Sequence, residues 1–125
     1  MKKVDPDRIL FVWLQGESDA VARVSKDDYK KALRVLCDAL KADVGIEKFG
    51  IIRVGRFAGD ERDEEILAAQ DEMCREDADF VMLTDIAADF PPASEYMHPK
   101  IHGHYSAKGL ELLGAKAAET LAELQ

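Results

Sequence analysis

The chain has 125 residues, 47% of them apolar, and a formal net charge of -8. That length suits a single domain over residues 1–125 and is enough to bury a core. The acidic balance excludes nucleic acid and anionic membrane surfaces as natural partners, since their phosphates repel it.

Residues 1–7 are a polar lead-in with no apolar core of signal-peptide type, and no apolar run reaches the roughly 18 residues of a membrane span. As written, the chain is expected to be soluble and cytoplasmic. From Arg8 to Leu14, the residues Ile9, Leu10, Phe11, Val12, Trp13 and Leu14 follow in succession. Side chains point alternately to opposite faces of a strand, so this run predicts one covered on both faces, as in a parallel sheet. It stops abruptly at Gln15-Gly16-Glu17-Ser18-Asp19. Ligands of α/β sheets sit just outside the carboxyl ends of strands, so this polar loop is a candidate site.

Ser25 is an expected helix N-cap, with Asp27 and Asp28 in the first turn. Tyr29, Leu33, Leu36, Cys37 and Leu40 then fall on one helical face, and Gly45 ends the helix. Residues 49–57, FGIIRVGRF, predict a second strand, and Gly59-Asp60 a turn. A charged helix follows over about 62–76, with Ile66, Leu67, Ala69, Gln70, Met73 and Cys74 inward. Residues 79–84 predict a third strand. The connection 85–104 holds Pro91, Pro92 and Pro99 and little periodicity, and loops of that length are often functional. Ser106 caps a last helix whose buried stripe is expected at Leu110, Leu113, Gly114, Ala117, Ala118 and Leu121. Cys37 and Cys74 fall inside helical patterns, which suits buried reduced thiols.

Strand and helix alternate three times, which implies an α/β fold with a parallel sheet. Three strands are few. The most apolar of them would form an edge, so self-association through the strand that begins at Arg8 and ends at Leu14 is expected.

Chemistry-bearing residues gather after the strands. The last connection holds all three histidines, His98, His102 and His104. Histidine is the usual proton carrier near neutral pH. His104 lies just before the final helix, on the same end of the sheet as the Gln15 loop. A metal site of the three histidines with Glu95 or Asp89 competes with this, but the spacing matches no ligand signature. Ser18 lacks a Gly-x-Ser-x-Gly setting, Ser25 and Ser106 are explained as caps, and Ser94 has no context. A base (His104), an amide donor (Gln15) and a backbone N–H (Gly16) are present without a nucleophile. This is an acyl-transfer site with one component absent.

Residues 13–20, WLQGESDA, resemble the WxQGESDA block of the sialate O-acetylesterase-like carbohydrate esterases, members of the SGNH hydrolase superfamily. Residues 103–109, GHYSAKG, resemble the catalytic-histidine block that opens their last helix. The resemblance implies a three-layer, flavodoxin-like α/β fold in the strand order 2-1-3-4-5, of which this chain would hold the last three strands and three main helices. It implies hydrolysis of O-acetyl esters of sugars by a serine nucleophile, without metal or other cofactor. His104 would be the general base. Gln15 and Gly16 would occupy the oxyanion block, and Glu17 would hold the loop or orient the histidine. The family's Gly-Gln-Ser-Asn block is not in this sequence. The chain therefore resembles the C-terminal part of the domain, is expected to be inactive alone, and would need a complementing N-terminal fragment at the strand from Arg8 to Leu14. Many members carry an aspartate three residues before the histidine, where this chain has Ile101. A backbone carbonyl, Glu17, Asp85 or Asp89 is left to orient His104. The alternatives are a non-catalytic remnant that binds a glycan or a partner chain, and a histidine-cluster metal hydrolase.

Overall fold

The computed structural model describes residues 7–101 and 103–124. Most of the polar lead-in, and His102 among the candidate ligands, lie outside the described residues. The element order is β1 (Leu10–Trp13), α1 (Glu17–Val21), α2 (Lys26–Asp43), β2 (Lys48–Ile52), α3 (Glu61–Glu76), β3 (Phe80–Thr84), a 3-10 turn (Ile86–Asp89) and α4 (Ala107–Glu123). All three strands are parallel, in the order β1-β2-β3. This is the expected α/β arrangement, with β1 at an edge.

The helices begin where the side-chain caps are. Ser25 accepts from the Asp28 N–H, Asp60 from the Arg62 N–H and Ser106 from the Gly109 N–H. Each satisfies a donor that the first helical turn leaves unpaired. The expected stripe of α2 is observed, with Tyr29, Leu33 and Cys37 buried and Leu36 and Leu40 packed beside them. In α3, Ile66, Leu67, Ala69, Gln70 and Met73 are buried as expected, and Cys74 is half-buried. Burial pushes the Cys74 thiol up to about 12.

The sheet's two faces are unequal. Phe11, Phe49 and Phe80 stand in register across the three strands. Their rings form a ladder with centroids 5.0 and 4.9 Å apart, worth about 0.5–1.5 kcal/mol per pair beyond the area buried. This row belongs to the core shared with α2 and α3. The next row is Val12, Gly50 and Val81. A Cβ on Gly50 would lie 2.7 Å from Leu83 Cδ1, so Leu83 covers β2 only because glycine is there. On this face α4 packs against β3, and Val12 stays 44% exposed. The expectation that both faces of β1 are covered is thus corrected: its neighbour in that row has no side chain.

Other boundaries also differ. The second strand stops at Ile52, where the register with β3 shifts, so residues 53–57 run on as an extended loop. In α4 the buried positions are Gly109, Leu113 and Ala117, with Leu121 beside them. Leu110, Gly114 and Ala118, expected inward, are exposed, because the surface α4 covers is narrow. At the opposite end of the sheet, Arg8 donates from Nε and Nη2 to Glu47 at 2.6 and 2.8 Å and from Nη1 to the Leu124 carbonyl at 2.8 Å. That contact joins the starts of β1 and β2 to the end of α4.

Candidate active site

The chain leaves β1 at Trp13 and turns at Gly16, whose φ is +145°. That value favours glycine, and the space demands it too: a Cβ would lie 2.8 Å from Ile66 Cγ2. Gly16 is the N-cap of α1, a short helix with no apolar repeat, in a stretch the sequence presents only as a polar loop. The turn sends its two polar neighbours in different directions.

Gln15 faces α2. Its amide nitrogen donates to Asp19 Oδ2 at 2.7 Å, and its side chain lines a cleft with Trp13, Asp19, Tyr29 and Leu36. Beneath it lies a polar network. The Tyr29 hydroxyl accepts from Trp13 Nε1 at 3.3 Å and Gln70 Nε2 at 3.0 Å, and donates to the Gln15 carbonyl at 3.0 Å. Burial raises the Tyr29 phenol above its ordinary range, partly offset by the two donors. Gln70, fully buried, also donates to the Gln15 carbonyl at 2.8 Å and accepts from the Val54 N–H at 3.0 Å. One side chain of α3 thereby ties together the segments that leave β1 and β2. Its signal in the sequence is an amide on an otherwise apolar face, where a buried polar group must have partners.

Glu17 faces the other way. It lines a cleft of about 330 Å³ with Ser18, Val21, Ala22, Phe57, Gly103 and His104. Such a volume suits a small ligand. Phe57 forms the apolar wall, and the carboxylate of Asp63 fixes the loop that carries it. Buried Asp63 accepts from the Phe57 and Ala58 N–H groups at 3.1 and 2.9 Å, and from the Gly59 N–H at 2.8 Å. A carboxylate gathering three backbone donors is well compensated for its burial. Asp63 is a site-building residue that the sequence hides inside a charged run.

His104 is exposed on that cleft, and its ring has no hydrogen-bond partner among the described residues. Its backbone is held: the His98 N–H donates to the His104 carbonyl at 2.8 Å, and Met97 and Tyr105 form an antiparallel bridge. His98 is spent on the turn itself, its Nδ1 accepting from the Lys100 and Ile101 N–H groups at 3.1 and 3.0 Å. Glu95 pairs with Lys108 at 2.7 Å. Asp85 and Asp89 are exposed and do not line the cleft. Among the described residues, no three histidine, cysteine or acidic side chains converge as a metal would require. The structure therefore lines one cleft with both His104 and Glu17, without a hydrogen bond or ion pair between them. Gly16 is buried against Ile66, Tyr29 and Gln70 and does not line it. The structure turns the Gln15 amide toward Asp19, in the neighbouring cleft.

A family model described as carbohydrate esterase, sialic acid-specific acetylesterase, matches residues 8–123. The chain belongs to this esterase family. Comparison with curated proteins and with solved structures returned no match. The esterase family match runs from the start of β1 through the end of α4, and so contains both clefts and the whole sheet. The family concerns a carbohydrate substrate. Among the described residues, no helix is long and apolar enough to cross a membrane.

Proposed function

We propose that this chain carries the histidine and carboxylate side of an acetylesterase site acting on O-acetylated sugars. The observation that carries the reading is the shared cleft of His104 and Glu17 against the Phe57 wall. In the proposed reaction a serine supplied from outside these 125 residues attacks the acetyl carbonyl while His104 takes its proton. The C–O bond to the sugar breaks, and His104 returns the proton to the departing sugar oxygen. Water, deprotonated by the same imidazole, then releases acetate and restores the serine. Glu17 orients the imidazole and stabilises its charged form, the part a carboxylate plays beside a catalytic histidine. Of the candidates for that part, only Glu17 lines the cleft with His104.

Gly16 precedes Glu17 in the chain at the turn, and Gln15 is the proposed side-chain donor to the developing oxyanion. For that, the Gln15 amide must leave Asp19 and swing from the cleft that faces α2 into the one that His104 lines. Such a donor is worth about 3 kcal/mol. Asp19→Asn removes the charged competitor and tests the exchange.

The deciding experiment adds a serine-bearing N-terminal segment of a family member to this chain and follows release of acetate from an O-acetyl sugar. Activity that appears only in the mixture, and falls by about 10³-fold or more with His104→Ala, supports the reading. Enzyme-like turnover by the chain alone would overturn the external serine. The second reading, a module that associates through β1, is favoured by the open edge and by Val12, 44% exposed. Sedimentation of the chain, with and without Val12→Lys, tests it.

A further inference from the structure

Tyr105 follows His104 in the chain and lies beneath it, half-buried between the rings of Phe57 and Phe90. The centroids are 5.3 and 6.1 Å away and both contacts are edge-on. Its hydroxyl meets two groups from distant parts of the sequence. It accepts from the Gly55 N–H at 3.0 Å and stands 3.3 Å from Glu17 Oε1. A phenol has one proton to give, and a carboxylate can only accept. With the Gly55 N–H occupying a lone pair, the proton goes to Glu17 Oε1. Glu17 Oε2 is left without a partner among the described residues, on the cleft that it shares with the equally unpartnered ring of His104.

We infer that Tyr105 is a positioning residue: it holds Glu17 by one carboxylate oxygen so that the other is presented to His104. The inference rests on the proposed pairing of Glu17 with His104 and adds the group that aims it. Tyr105 suits the task because one residue fixes both partners, Glu17 through its hydroxyl and His104 through the adjoining backbone. The anchor is the loop that follows β2, reached through Gly55, so the aim does not depend on α1 alone. Burial, and then the nearby Glu17 charge, raise the Tyr105 phenol well above its ordinary range, so the hydroxyl keeps its proton throughout the working pH range.

Acylation of His104 by diethyl pyrocarbonate, followed at that residue by mass spectrometry at about pH 8.5, where unprotonated imidazole predominates, reads the imidazole directly in this chain. An imidazole whose N–H is held by a carboxylate is the better nucleophile. Glu17→Gln is expected to slow the reaction about fivefold, the size of one ordinary net hydrogen bond. Tyr105→Phe is expected to slow it about two- to threefold, and the double variant no more than Glu17→Gln alone, since one residue acts through the other. Effects that multiply, or a folded Tyr105→Phe that reacts like the parent, would overturn the role of Tyr105 while leaving the Glu17 pairing in place. A Glu17→Gln chain that reacts like the parent removes the pairing itself, and the inference with it. Should Tyr105→Phe fail to fold, the Tyr105 ring carbon that bears the hydroxyl is compared by NMR at neutral pH in tyrosine-labelled parent and Glu17→Gln chains. A displaced Tyr105 resonance in Glu17→Gln supports the contact, and an unchanged one overturns it.

Discussion

On either side of Gly16 the same short turn builds two unlike regions. On the Gln15 side the polar groups are buried and saturated: Trp13, Tyr29 and Gln70 donate inward, and the Gln15 carbonyl receives two of their network's hydrogen bonds. On the Glu17 side the polar groups are few and exposed, and His104 has no ring partner among the described residues. The difference separates scaffold from site. A saturated network has one arrangement and resists change, since each group lost leaves another unpaired. An unsaturated cleft contributes little to stability and keeps its hydrogen-bonding capacity for a ligand. The fold places the first region beneath α2 and α3, where the core is thick, and the second at the thin rim between α1 and the loop before α4.

The sharpest way to break the contrast is at the turn itself. Gly16→Ala demands a φ that side chains rarely adopt and a methyl 2.8 Å from Ile66, and is expected to cost ~3 kcal/mol or more by urea unfolding. Next is Gln70→Leu, which keeps the volume but strands the Val54 N–H and frees the Gln15 carbonyl from one donor. A loss of about 2–4 kcal/mol is expected, with exchange protection of the Val54 amide falling at the same time.

At the start of α3, outside both regions, a pH effect should appear. Asp60, bonded first to the Arg62 side chain and then to its N–H, has its carboxyl held down to about 2 from an ordinary 3.8. A lowered pKa favours the folded state wherever the group is ionised. The contribution is fully present above about 3.8 and is lost as pH falls through about 2. In Asp60→Asn the difference from the parent should therefore shrink across that window when helix content is followed by circular dichroism. The smallest effect is expected at the site itself. His104→Ala should move stability by no more than about 0.5 kcal/mol, because an exposed ring without partners supports nothing. A large loss of stability there would erase the distinction between the two sides.

Much of this was legible in the residues because it is local. Ser25 and Ser106 announce their helices by cap chemistry, and the spacing from Tyr29 to Leu40 fixes which face of α2 is buried. His104 and the loop after Leu14 share one end of the sheet because parallel strands put their carboxyl ends together. What was not legible depends on contacts distant in sequence. Nothing near Gln15 says that its amide turns to Asp19 while Glu17 turns away, since a single glycine dihedral decides it. Leu110 looks like a core residue until the narrowness of the surface under α4 is known. Gln70 and Asp63 sit in helical patterns whose partners, the N–H groups of Val54 and residues 57–59, come from a loop that the sequence presents as more strand.

The guanidinium of Arg8, clasped between Glu47 and the Leu124 carbonyl, brings the two ends of the family match within one side chain's reach. The order in which the elements are strung is then separable from their arrangement in space. A short linker from residue 124 back to residue 8 would close the chain into a ring. Exposed Gly45, with open space where a side chain would be, offers a place to reopen it. By the same geometry, a serine-bearing segment tethered behind α4 starts from nearly the same point as one tethered ahead of β1. It would arrive at the open edge of the sheet with a comparable effective concentration.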